Sequence, residues 1–353
     1  MQKLIVLILA LSLWTITLSA QSPTANLILE HDGGVVTAQW NPDETQILTA
    51  SEDGFVTVWS ADDGEKVQTI DHNGNPLTHA LWISDGTAIV SADESGLVQY
   101  TEVESGDLLQ SWQVDGMPLT LELNADATQI FVFTAGGNGI VASLEDGETL
   151  QSVSRSGKIV GADWSADETQ IRAWSEDGRI VAWDVETGES IATYSLPHRG
   201  ILLGVEWNAD DSKVLAWYAD GNAFAFETDN TSINQRLSNV RHNSFVQSAM
   251  WSSDESTYMS WAGDDTVHIW ATDGGRSELS LRHEDWVTGA RWDASESLVL
   301  SWSHIYVYVW DGDTLVDRFQ HNNLVRGAVW NADTTQILSW SWDGTARVWA
   351  FDA

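Results

Sequence analysis

The chain has 353 residues, a formal net charge of −36 and no cysteine. The missing cysteine excludes disulfides, thiolate metal sites and cysteine nucleophiles. So acidic a chain repels nucleic-acid backbones and anionic lipid, because the phosphate contacts that supply such binding become repulsive; the acidity reads as solubility or a saline habitat, with an acidic face for a basic partner or cations as the alternative.

Residues 1 to 20, MQKLIVLILALSLWTITLSA, carry one lysine and then an apolar core of Leu, Ile and Val. That order is the one a secretory signal peptide uses, with cleavage expected after Ala20 although Leu18 is larger than a cleavage site prefers. The alternative is retention by an uncleaved N-terminal anchor, since the run reaches the roughly 17 residues at the low end for a spanning helix. No other long apolar run occurs, so no membrane insertion is expected after signal removal. The expected localisation is extracytoplasmic, secreted or periplasmic, in a bacterium. Residues 21–26 read as a short linker, and residues 27–353 as a single repeat-built domain.

The clearest repeat is residues 321–349, HNNLVRGAVWNADTTQILSWSWDGTARVW. It opens with a His, and an apolar run closes at Trp330. The polar turn NADTTQ leads to a second run, ILSWS, and Asp343-Gly344 to a third run ending at Trp349. Three short runs with period-2 alternation, separated by turn residues, predict an antiparallel meander, and Asp-Gly between such runs is a strong hairpin signal.

Aligned on the Trp that closes the first run, the unit recurs at Trp40, Trp82, Trp164, Trp207, Trp251, Trp292 and Trp330, with Leu123 in the remaining place. The second run carries Trp174, Trp217, Trp261, Trp302 and Trp340, and the third closes with Trp59, Trp183, Trp270, Trp310 and Trp349. The spacing of about 41 residues is that of a four-stranded propeller blade. The expected fold is therefore all-β: a single closed β-propeller of four-stranded antiparallel blades. Eight blades are expected; seven, with the third repeat as an insertion, is the alternative. The large indoles are expected to fill the widening wedge between twisted sheets.

The order His, apolar-Trp, Ser-x-Asp-Gly, apolar-Trp resembles the WD-repeat family of β-propellers, with HDGGVVTAQWNPDETQILTASEDGFVTVWS at 31–60 a close match. The likeness extends over residues 27 to 353. Only Trp183-Asp184 and Trp310-Asp311 keep the Trp-Asp dipeptide, and the third repeat lacks the His and both outer Trp positions. The resemblance implies a buried hydrogen-bonded group of His, Ser or Thr, Asp and Trp in each blade. Carried over, this is His31, Ser51, Asp53 and Trp59, and again His321, Ser341, Asp343 and Trp349. Other repeats are partial: Arg155 replaces the His in the fourth, Ala262 the hydroxyl in the sixth, and His304-Ile305 the Asp in the seventh. A His beside a Ser and an Asp also looks like a hydrolytic triad. Its recurrence across repeats fits polar groups satisfying one another, since an unpaired buried one costs about 1 to 3 kcal/mol.

Each unit supplies a fourth, outer run, such as EKVQTI or DLLQSW, except the last. The orphan run is at the other end, ANLILEH at 25–31. An unpaired outer strand would leave a ladder edge, so the N-terminal strand is expected to join the C-terminal blade and close the ring.

After the opening His of repeats five to eight come Ile201, Phe245, Trp286 and Leu324; the earlier repeats have Gly34, Asn75, Met117 and Lys158. The resemblance implies that this position is the turn into the innermost strand, on the face that meets partners; four large apolar residues there on consecutive blades read as a partner-binding sector beside the central channel, with packing beneath the turn as the alternative. No loop has the length or pattern for calcium, and no phosphate loop or basic aromatic patch is present; no metal, cofactor or catalytic residue is expected. The expected function is that of a non-catalytic, monomeric scaffold for protein–protein interaction. The alternative is an extracytoplasmic enzyme or carbohydrate binder using the channel mouth.

Overall fold

The computed structural model describes residues 23–229, 232–274 and 277–351. The signal peptide read at residues 1–20 lies outside the described residues. Within them, thirty-two strands form eight four-stranded antiparallel sheets and no helix occurs. Each sheet is one blade. In seven of them the strands run outward from the channel in chain order, as in blade one: Val35–Trp40, Gln46–Ser51, Phe55–Ser60 and Lys66–Asp71. The third repeat is a full blade, Pro118–Leu123, Gln129–Thr134, Asn138–Ser143 and Thr149–Ser154, so the ring has eight blades.

The seam closes as the orphan run requires. Leu27–Glu30 pairs antiparallel with Thr345–Ala350, with Leu27 opposite Val348 and Glu30 opposite Thr345. Leu29 is fully buried there, in one cluster with Val35, Trp59, Leu338 and Val348. Blade eight is thus built from both ends of the described chain, and every innermost strand touches its neighbours on both sides all the way round.

The polar turns explain the strand boundaries. In NPDETQ, the Asn41 side-chain oxygen accepts from the Gln46 N–H (2.9 Å) and the Asp43 carboxylate from Thr45 N–H and Oγ1 (3.1 and 2.6 Å). Such side-chain capping lets Asn and Asp hold a tight turn. NADTTQ repeats it with Asn331 and Asp333.

The second-strand indoles need a matching gap. Gly161, Gly204, Gly289 and Gly327 stand directly opposite Trp174, Trp217, Trp302 and Trp340. A Cβ on Gly289 would come within 2.0 Å of the Trp302 ring. The first three blades have Thr37, His79 and Thr120 opposite Ala50, Ala92 and Phe133 instead. In blade six Ser248 stands opposite Trp261, so a small residue faces each of these indoles.

Candidate partner-binding face

The His-Asp turns fix the loop face of the disc. In blade one, His31 Nδ1 lies 3.0 Å from Asp53 Oδ2, and the Asp32 N–H donates to the same carboxylate. His31 Nε2 meets a hydroxyl at 2.7 Å, and the Trp59 indole N–H donates to that same oxygen at 2.7 Å. The hydroxyl belongs to Thr49, not Ser51. In blade eight it belongs to Ser339, not Ser341, at 2.8 Å from both His321 Nε2 and Trp349 Nε1. Strand geometry gives the reason. Trp59 is paired with Ile47, so Thr49 is its diagonal neighbour and Ser51 is one pair too far. Ser51 and Ser341 instead accept from the N–H of Asp53 and Asp343.

The same shift completes blade six, where Ser260 joins His242 (2.8 Å) to Trp270 (2.7 Å) and Ala262 is irrelevant. Blade seven keeps His283, Ser301 and Trp310, while among the described residues no carboxylate meets His283 Nδ1, as expected with His304-Ile305 in place of the Asp. In blade four Arg155 replaces the imidazole, donating to the Ala173 and Arg179 carbonyls and to Ser175. Burial lowers the pKa of His31, His72, His242 and His321, outweighing the nearby carboxylates that raise it. These rings are neutral at pH 7, and Thr49 is fully buried beneath the indole. A substrate cannot reach this trio, which serves to anchor the loops.

The four apolar residues at the loops are not equivalent. Ile201 and Trp286 are 54% and 41% exposed, whereas Phe245 and Leu324 are half-buried. Phe245 and Trp286, on adjacent blades, meet edge to face with centroids 5.9 Å apart. Leu324 holds the next turn through its carbonyl, which accepts from Trp342 N–H. No ring contact joins Ile201 to the others among the described residues.

Trp342 extends the patch, and the sequence reading left it unassigned. It is 42% exposed, its ring fills the space that a side chain on Gly34 would need, and Arg326 stacks over it at 5.0 Å. Trp342 stands outside the three indole columns, the signal that could have singled it out. Trp112, equally off-column, is buried on an outer strand and donates to the Gly147 carbonyl.

The WD domain, G-beta repeat family model matches residues 23–60 and 313–350. The matched stretches are the three inner strands of blade one and of blade eight, each preceded by the outer strand of the blade before it. WD-repeat propellers typically act as protein-interaction scaffolds. None of the curated proteins matches the chain. Among solved structures, the C-terminal WD40 domain of Sif2 is 18% identical with a TM-score of 0.81, covering 94% of this chain and 99% of that one. Sqt1 of Saccharomyces cerevisiae is 17% identical, TM-score 0.80, covering 94% and 100%. The computationally designed Ika8 protein is 19% identical, TM-score 0.77, covering 91% and 98%. At these identities the likeness is one of fold.

Proposed function

We propose that the chain is a non-catalytic, exported, monomeric scaffold that takes a protein partner on the loop face beside the central channel, through Ile201, Phe245, Trp286 and Leu324. The observation that carries this reading is the Phe245–Trp286 contact. Two aromatic side chains from neighbouring blades meet edge to face at the loop surface, and Trp and Tyr at such places dominate binding energy in protein interfaces. Trp342 with its stacked Arg326 widens the sector into blade eight. Export rests on the signal pattern of residues 1–20.

The enzyme or carbohydrate reading asks for carboxylates converging beside Trp286. The two carboxylates on its turn are already engaged, Asp285 by the Trp286 N–H and Glu284 by Arg318, and the buried carboxyls Glu122, Asp163 and Glu206 stand at the far ends of their innermost strands. Capture of partners by the tagged mature chain from its own envelope fraction tests the proposal. A protein retained by the parent and lost by Phe245→Ser/Trp286→Ser is expected, with thermal unfolding of the variant nearly unchanged. Equal capture by both chains, or a stability loss of several kcal/mol, returns the pair to the core and removes the site.

A further inference from the structure

The innermost strands end, on the face opposite the partner loops, in a ring of one residue per blade just before the closing indole. On blades three to seven this residue is Glu122, Asp163, Glu206, Met250 and Arg291; on the other three blades it is uncharged. Two arginines reach this end of the channel, in opposite circumstances. Arg172 is neutralised: Asp163 accepts from Nε and Nη2 at 2.8 and 2.9 Å, Asp211 forms an ion pair with Nη1 at 2.9 Å, and the guanidinium lies over Trp207 at 4.1 Å. Arg291 makes no hydrogen bond, ion pair or ring contact among the described residues, and burial alone lowers its pKa with no charged group to offset it.

Arg291 borders an open cavity of about 760 Å³ whose walls include Trp40, Trp251, Trp292 and Trp330. Glu44 and Glu296 stand at its edge, but each carboxylate is engaged by a backbone N–H of the neighbouring blade, Ala332 and Ser253. Arg291 is part-buried and carries its charge without a counterion among the described residues, and its planar fork fits the two oxygens of a carboxylate. Indole walls favour an apolar body. Across an eight-membered ring, blade three faces blade seven, so Glu122 stands opposite Arg291, with Asp163 and Glu206 next to it around a second cavity of about 480 Å³. Among the described residues no group of carboxylates and histidines is placed to hold a metal ion.

We propose that this mouth of the channel binds a small organic monocarboxylate with an apolar body: its carboxylate on Arg291 and its body against the indoles. The site is independent of the partner-binding face.

Calorimetric titration of the chain with cyclohexanecarboxylate, phenylacetate and indole-3-acetate tests it, each beside its neutral amide. Saturable one-to-one binding is expected for at least one monocarboxylate, weakened about ten-fold or more in its amide. Arg291→Gln should weaken the acid by a similar factor and leave the amide unchanged, while Arg318→Gln on the rim changes neither. Absence of saturation by any acid below about 10 mM, equal affinity of acid and amide, or a folded Arg291→Gln that binds as the parent does would each overturn the assignment. Where Arg291→Gln does not fold, the comparison of acid with amide on the parent chain decides.

Discussion

The Glu44 carboxylate in blade one accepts a hydrogen bond from the backbone N–H of Ala332 in blade eight, across 288 positions of sequence. Glu44 sits in the left-handed region, with φ of 60°. The arrangement recurs around the ring. Glu168, Asp211 and Glu296 occupy the same turn with positive φ and reach back to the N–H of Ala125, Ala166 and Ser253 of the preceding blade. Glu255 takes the Lys213 ammonium instead. The left-handed turn aims an acidic side chain at the neighbouring blade, so part of the chain's acidity ties blades together.

This relation separates two contributions at one position. Glu44→Ala removes the hydrogen bond and leaves a β-carbon in a left-handed conformation, which costs roughly 1 to 2 kcal/mol. Glu44→Gly removes the same hydrogen bond but also relieves that strain, which the parent carries as well. Denaturant unfolding is expected to place Ala below Gly by about 1 kcal/mol, with Gly slightly below the parent. If Ala and Gly unfold together, backbone conformation at this turn contributes nothing measurable.

The bridging hydroxyl gives a second contrast. Thr49→Val keeps the shape but strands the Trp59 indole N–H and His31 Nε2, so a loss of about 2 kcal/mol or more is expected. Ser51→Ala removes one long bond, 3.3 Å to the Asp53 N–H, and should cost less than half as much. Equal losses in urea titrations would mean that the hydroxyl bridging His and Trp is not the one at Thr49.

Much of this architecture is legible in the sequence because it is written eight times. Indole columns, Asx turns and the orphan run at 25–31 each mark one strand or one closure, and each rests on local chemistry. What escapes depends on pairing across strands or blades. Thr49 and Ser51 share a face, and only the partner of Trp59 decides between them. Ser260 hides for the same reason beside Ala262. The match of Gly289 to Trp302 is a size relation between separate runs, and the reach of Glu44 to Ala332 needs the ring to be closed. In the candidate face the sequence places four residues at equivalent turns, but not that Phe245 and Trp286 meet while Ile201 stands apart.

Two sets of buried groups give the protein opposing pH dependences. Burial pushes Glu122 and Glu206 up to about 7 and Asp163 to about 6. The folded chain then holds protons that the unfolded chain has released, so stability is lost as pH rises from the ordinary carboxylate range towards 7. Burial lowers the histidines, His268 and His283 to about 4. Their folded forms refuse a proton that the unfolded chain takes up, so that stability is present above pH 6.5 and lost as pH falls towards 4. Glu206→Gln removes one rising-pH loss and can still accept from the Trp251 N–H. At pH 8 the variant should exceed its parent in stability by on the order of 2 to 3 kcal/mol, and at pH 4 the two should coincide. A variant equal to its parent at both pH values would show that Glu206 ionises without penalty.

The seam offers the most global test. Leu27–Glu30 supplies the outer strand of blade eight, and flanking bonds run from Asn26 N–H to the Val348 carbonyl and from His31 N–H to that of Gly344. Beside it, the Trp340 indole N–H donates to the Val36 carbonyl at 3.0 Å. Deleting Asn26 to Glu30 exposes the Thr345–Ala350 edge and removes Leu29, whose full burial is worth about 2 to 3 kcal/mol by itself. Because each blade leans on its neighbours, the loss should appear in one cooperative transition of the whole ring, with the midpoint lowered by at least about 5 °C. A peptide of residues 24–31 added in trans should restore part of that shift. Unchanged melting of the deletion would mean that the ring stays closed without its N-terminal strand.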